Sequence, residues 1–372
     1  MRRTVLVTGG TGTLGRELVR RLATEPDVAR VVVISRAPGT PAARALRAGW
    51  ARAGSADAQL VRGDVRAGAD LGLSATDAAA LRAEVTDVLH CAADTTFTLP
   101  LAEARAVNVD GTRHVLDFAA GCASLERVGL FSTVYVAGRR TGTFGEDDTG
   151  AGDAGHVNSY ERSKAEMEEV ARAAMGTLPV ALCRLSTIVG DSRSGAVHTF
   201  NSVHHALRLF YQGLAPMVPG DGAARVDLIA SDYAADAAHW LFGRAFEPGR
   251  TYHVSAGPAR SATLDELLDA TVTAFHRCRP AWRKRTIARP ALVDLETYEL
   301  FVRSVEEAGS DVLRQATRAV QAFAYQLAYP KSFDARRAEA ALVGSGLIAP
   351  DVLDFYSKVV RHCVETGWGA AA

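Results

Sequence analysis

An apolar run, Thr4-Val5-Leu6-Val7, breaks into Thr8-Gly9-Gly10-Thr11-Gly12-Thr13-Leu14-Gly15 and resumes as an amphipathic pattern to about Leu22. Read in order, this is a strand, a tight glycine turn and a helix, and few folds begin that way. Glycines at 9, 12 and 15 permit positive φ, close approach of the backbone to a pyrophosphate, and tight packing of the helix on a sheet. The first amides of the helix have no acceptor within it, so they form a ready receptor for phosphate oxygens. Gly9, Thr11, Gly12, Thr13, Leu14 and Gly15 are therefore the first candidate residues of a dinucleotide site.

The pattern continues. Strand-like runs at Val31–Ile34, Gln59–Arg62, Asp87–Cys91, Val128–Ser132 and Val180–Arg184 alternate with helical patterns, notably at about 101 to 122 and 159 to 175. Such alternation predicts an α/β fold, a Rossmann-type doubly wound parallel sheet with its ligands at the carboxyl ends of the strands. After about residue 190 the pattern changes to a long irregular segment, one further strand-like run at Arg225–Ile229, and largely helical sequence. We therefore expect a nucleotide-binding domain from 1–190 and about 223–256. A smaller, mainly helical C-terminal substrate-binding region would take 191–222 and 257–372, with the arginine- and proline-rich stretch Pro280 to Pro290 as a loop.

The 372 residues suffice for such a domain and its appendage. With 42 acids against 42 bases, no global field recruits nucleic acid or an anionic membrane. The five cysteines are scattered without a CxxC pair, which points to reduced thiols and a cytoplasmic protein. The chain enters its first strand at once, so no signal peptide is expected, and no apolar stretch approaches a membrane span. No His, Cys or Asp cluster has metal-ligand spacing, so no metal is expected.

The loops after the strands are where chemistry is expected. The second strand ends in Ser35-Arg36, where a site for NAD would place an acid for the ribose hydroxyls. An arginine fork instead suits a 2′-phosphate, which predicts NADPH, with Arg44 or Arg47 assisting. Asp64, followed by Val65, is placed to accept from an adenine amino group, and the small residues of Cys91-Ala92-Ala93 admit a ribose or nicotinamide to the backbone. Asn108 lies on the following helix, where it would bridge strand ends, and Ser132-Thr133 puts a hydroxyl upstream of Tyr160. Tyr160 and Lys164 sit four apart in Ser-Tyr-Glu-Arg-Ser-Lys, on one face of a helix. A lysine beside a phenol favours its ionised form, and such a phenol can hand a proton to a carbonyl under reduction.

In this order the motifs resemble the extended short-chain dehydrogenase/reductase superfamily, over roughly residues 3 to 256. The resemblance implies that Tyr160 is the general acid. It implies that Lys164 lowers the pKa of that acid and holds the nicotinamide ribose, and that Thr133, with Ser132 as the near alternative, hydrogen-bonds the reacting oxygen. The stretch Arg184–Gly195, continuing to Pro219-Gly220-Asp221 and Val226–Tyr233, resembles more narrowly the male-sterility-type branch of thioester reductase domains and fatty acyl-CoA reductases. That branch favours Arg-Pro where this chain has Arg184-Leu185. By the same resemblance Ser186 and Ile188 fall on the cofactor side.

What the resemblance implies is reduction by NADPH of an acyl thioester, held on CoA or on the phosphopantetheine arm of an acyl carrier protein, to an aldehyde and in a second round an alcohol. Dimers are common in the superfamily, which makes a homodimer one expectation. The same three residues serve a ketone or aldehyde reductase, a hydroxysteroid-type dehydrogenase or a nucleotide-sugar epimerase. A non-catalytic dinucleotide-binding regulator is a further reading, although such proteins usually lose the Tyr or the Lys. Three other segments invite a role: Val197 to Gly213 as a wall of an acyl pocket, the loop from Arg139 to Asn158 as a flap with solvated acids, and the basic run His276–Arg285 with Arg289 as a carrier-docking patch.

Overall fold

The computed structural model describes residues 2–369 apart from 55, 280 and 283–287. The first half runs β1 (Arg3–Thr8), α1 (Thr13–Leu22), β2 (Val28–Ser35), α2 (Pro41–Ala53), β3 (Asp57–Arg62), α3 (Ala75–Glu84), β4 (Asp87–His90), α4 (Leu101–Arg105), α5 (Gly111–Ala120), β5 (Arg127–Thr133), β6 (Gly142–Phe144), α6 (Ser159–Ala174) and β7 (Val180–Leu185). The second half holds short strands β8 (Thr187–Gly190), β9 (Met217–Pro219), β10 (Arg225–Val226), β11 (Leu228–Ala230), β12 (Thr251–Val254), β13 (Ala262–Thr263), β14 (Ala291–Val293) and β15 (Lys331–Phe333). Its helices are α7 (Ser202–Gln212), α8 (Ser231–Phe242), α9 (Gly257–Arg260), α10 (Leu264–Cys278), α11 (Leu295–Ala308), α12 (Asp311–Leu327), α13 (Arg336–Ala341) and α14 (Val352–Glu365).

Seven strands form one parallel sheet in the order β12-β7-β5-β4-β1-β2-β3. Its strands are buried on both faces, which is why Val31-Val32-Val33-Ile34 is apolar without alternation. Along β1, Val5 and Val7 join the core on one side of the sheet and Leu6 the core on the other. The order reverses between β1 and β4, and the crevice above their carboxyl ends is the switch point at which such sheets bind ligands.

Two features depart from the sequence reading. The strand expected from Arg225 to Ile229 is broken at Asp227, so β10 pairs with β13 while β11 pairs with β8. The reason is local: the buried Asp227 carboxylate accepts the amides of Ala256 and Gly257, both at 2.9 Å, which turns it out of any ladder. The sheet also gains β12 at its edge, a short run, Thr251-Tyr252-His253-Val254, whose two central residues are a phenol and an imidazole. Among the described residues no helix is long and apolar enough to cross a membrane.

The buried side chain of Arg184 joins β7 to α6. Its guanidinium meets both oxygens of Glu168, also fully buried, at 2.9 and 2.8 Å, and spends its remaining donors on the carbonyls of Gly145 and Asp148 and on His253. Removing one partner of a buried pair strands the other charge, at a cost of about 3–5 kcal/mol. Glu168→Gln keeps the shape and removes the charge, so chemical denaturation should find the variant less stable than the parent by roughly that amount.

Candidate active site

The glycine loop closes on the β4 loop. Gly9 has φ +68°, and a Cβ there would lie 2.5 Å from the Ala92 amide nitrogen and 2.6 Å from the Cys91 carbonyl carbon. Only glycine permits both that conformation and that contact. A Cβ on Gly15 would meet the Gly9 carbonyl oxygen at 2.3 Å, so the turn is packed against the helix it starts. Gly12 is different: a Cβ there would touch only that same oxygen, leaving its outer side open.

A dinucleotide fits the residues found here. Gly12 is the N-cap of α1, has no side chain to cap with, and the first turn, which includes Thr13 and Leu14, carries no acid. The amides of that turn thus keep donors for an anion and meet no negative charge. Arg36 is exposed at the end of β2, close enough to Asp64 to help hold that carboxyl below its usual range. The main cause of that shift is Arg66, whose guanidinium grips Asp64. Asp64 is thereby engaged by protein, while Val65 is buried and offers its carbonyl to His114.

Thr133 ends β5, and Tyr160 and Lys164 lie on the first turns of α6, which starts there because Asn158 caps the Glu161 amide at 2.9 Å. The Thr133 hydroxyl lies close enough to the Tyr160 phenol to lower its pKa, against the stronger raising effect of burial. Burial pushes the Tyr160 phenol above its ordinary range, so it is protonated at neutral pH. Lys164 is buried, and its ammonium donates at 2.6 Å to the carbonyl of Phe131 on β5. Burial lowers the Lys164 pKa to about 8, with Glu168 one turn on acting against the shift.

Asn108 lies in a π-turn, Ala106–Asp110, between α4 and α5. Its amide is wholly engaged: the oxygen accepts from the Asp94 amide at 2.8 Å, and the nitrogen donates to the Asp94 carbonyl and to Ser163 on α6. It braces the β4 loop against the helix of Tyr160. Ser186 is likewise engaged, donating at 2.8 Å to the Asp227 carbonyl, and the Ile188 carbonyl receives Asn201.

Residues not anticipated from sequence complete the picture. Buried His90, at the end of β4, bonds Thr8 at 2.6 Å and Thr112 at 3.1 Å, and burial with the nearby Lys164 charge lowers its pKa to about 3. Tyr135 follows Thr133 by two residues and donates its amide to the Thr133 hydroxyl, while its phenol receives Thr187 at 3.2 Å and is pushed up to about 12 by burial. A phenol two residues from the strand-end hydroxyl was the available signal.

The loop expected to move is fastened. β6 pairs with β15, and Arg184 holds the carbonyls of Gly145 and Asp148. Glu146 is buried rather than solvated, accepting the amides of His253, Arg337 and Ala338, whereas Asp147 is exposed in an ion pair with Arg337. His204, expected on a pocket wall, instead joins the capping box of α7 and bonds the Val189 carbonyl. In the basic run, residues 280 and 283–285 lie outside the described residues; Trp282 is buried with its indole on the Tyr211 carbonyl, and Arg289 pairs with Asp265. Among the described residues no group of His, Cys, Asp or Glu could hold a metal ion.

Residues 7–238 match the NAD-binding family described as male sterility protein. Over 216 residues, 53% of the chain, the sequence is 29% identical to N-benzoylphenylalaninol synthetase of Penicillium brevicompactum, and it spans only 9% of that protein's length. Its fold is similar to the terminal R domain from the myxalamid PKS-NRPS biosynthetic pathway, with TM-score 0.80 and 25% identity over 98% of this chain and 91% of that one. The thiolation-reductase di-domain from an archaeal non-ribosomal peptide synthetase shares the fold at TM-score 0.72 and 16% identity, over 100% and 77% of the two chains.

Proposed function

The chain belongs to the male sterility protein family, and on that premise we propose that it is an NADPH-dependent reductase of acyl thioesters, presented on a carrier protein's phosphopantetheine arm or on CoA. The observation that carries this reading is the approach of two hydroxyls, Thr133 and Tyr160, at the carboxyl end of β5, one helical turn from Lys164. The resemblance to reductase units of assembly-line synthetases, one of them joined to a thiolation unit, supports a carrier-bound substrate. In this reading residues 191–222 and 257–372 form the substrate-binding region.

A reduced nicotinamide bound above the glycine loop would supply hydride to the thioester carbonyl carbon. Thr133 and Tyr160 hold the carbonyl oxygen and stabilise its developing charge. Tyr160, kept protonated by burial, gives its proton to that oxygen, leaving a hemithioacetal. The carbon–sulfur bond then breaks, the hydroxyl proton passes to the sulfur, and an aldehyde and a thiol leave. Lys164 would hold the cofactor's ribose, and its charge would favour proton loss from Tyr160. Gly9, Gly12, Gly15 and the amides of Thr11, Thr13 and Leu14 would receive the pyrophosphate, and Arg36 the 2′-phosphate.

Purified protein with NADPH should oxidise the cofactor on acyl-CoA or acyl-carrier thioesters. Tyr160→Phe should leave NADPH binding within about twofold while lowering turnover by roughly 10²-fold or more. Activity on free ketones or aldehydes with none on any thioester would defeat the reading.

Cofactor choice is tested by initial rates: NADPH should be preferred to NADH, and Arg36→Ala should shrink the preference by about tenfold. A wild-type preference for NADH would remove Arg36 from the site.

The pH dependence follows from Lys164, which is charged below about 8 and loses its proton as pH rises through that value. Since kcat/KM reports groups of the free enzyme, it should fall through about pH 8, and Lys164→Met should lack that limb. The same limb in the variant would exclude Lys164 as its source.

A further inference from the structure

Two cavities share walls, and the smaller of them borders Tyr135. The smaller, of about 30 Å³, is bordered by Tyr135, Asp227, Gln326 and Lys331. The larger, of about 80 Å³, lies among α7, α10, α12 and α14, lined by residues such as Leu207, Phe210, Leu268, Val320 and Ala324. Val226, Leu264, Phe323 and Leu327 border both. The first cavity is bordered by Tyr135, whose amide bonds the Thr133 hydroxyl. Thr133, Tyr135, the smaller cavity and the apolar chamber thus adjoin one another in turn.

The chamber offers nothing to a polar guest. Its polar side chains are Thr271 and Tyr356, and these satisfy each other: the Thr271 hydroxyl donates to the Leu267 carbonyl at 2.7 Å, so the Tyr356 hydroxyl 2.9 Å away must donate to it. Both protons are spent. A carboxylate or ammonium placed there would be stripped of water without a partner, and such burial is strongly disfavoured. An alkyl or aryl group would instead exchange water for close contact on every side.

We propose that this chamber is the acyl-tail pocket and that the substrate class is thioesters whose acyl group ends in an uncharged alkyl chain or aromatic ring. This rests on the reductase reading above and specifies its substrate. Since a water-sized group needs roughly 10–15 Å³ by the same measure, the space suits on the order of six carbon-sized groups. Phe323, at the shared wall, controls passage, and Ala324, fully buried in the chamber wall, sets its depth.

The test uses the whole chain with NADPH and the pantetheine thioesters of acetyl, hexanoyl, decanoyl, phenylacetyl and glutaryl groups. Hexanoyl and phenylacetyl should exceed acetyl in kcat/KM by about tenfold or more and glutaryl by about a hundredfold. Ala324→Phe should cut the hexanoyl-to-acetyl ratio about tenfold, and Phe323→Ala should move the optimum toward decanoyl. Equal rates across the tails would overturn the assignment, as would a preference for glutaryl. If Ala324→Phe does not fold, Phe323→Ala decides, and an unchanged length profile in it overturns the pocket. No turnover on any thioester would overturn the reductase reading and this inference with it, whereas turnover blind to the tail defeats the pocket alone.

Discussion

A line of buried hydrogen bonds ties the nucleotide loop to the helix of Tyr160. It begins at the Ala92 amide on Thr8, passes from Thr8 through His90 to Thr112, and from Thr112 to the carbonyl of Asn108, whose amide reaches Asp94 and Ser163. Every member is a protein group satisfied by another, so a buried network that would be costly if broken becomes a rigid frame. Because His90 stays neutral, deep in its burial and facing the Lys164 charge, one ring nitrogen can donate while the other accepts. The relative position of crevice and strand-end hydroxyls depends on this line.

A second frame fixes the other side of α6. Arg184 and Glu168 are buried together, and Arg172 also reaches Glu168 at 2.9 Å. Burial opposes the Glu168 charge, but the arginines outweigh it and hold the carboxyl below its usual range. That retained charge works against the desolvation of Lys164, one turn away. The pair therefore fastens the loop before α6 and sets the electrostatics of the ammonium within it.

Much of this was legible in the sequence, and the reasons differ by level. The sheet was readable because a strand buried on both faces writes a continuous apolar run. β12 was not, since its core includes Tyr252 and His253, and β10 with β11 was misread because nothing in Arg-Val-Asp-Leu-Ile announces two amides converging on Asp227. Within the site, Gly9 was readable from turn geometry, whereas the engagement of Asn108 and Ser186 by neighbouring residues depends on partners far away in the chain. One acid of the 139–158 loop was misjudged for the same reason: Glu146 is buried by amides from β12 and α13, more than a hundred positions on, whereas Asp147 is exposed as expected.

The π-turn between α4 and α5 has a geometric consequence. One residue beyond the normal α-helical repeat advances the phase of everything downstream by about 100°. Ala104 before the turn, and Thr112, Val115 and Phe118 after it, are all buried, while Asn108 within it is aimed at Asp94 and Ser163. Two helical segments that would otherwise share one continuous stripe are thus rotated relative to each other, and the offset points a polar residue inward without interrupting the oily seam on either side. A single-residue deletion at this point would restore a regular spiral and swing that amide away from its partners.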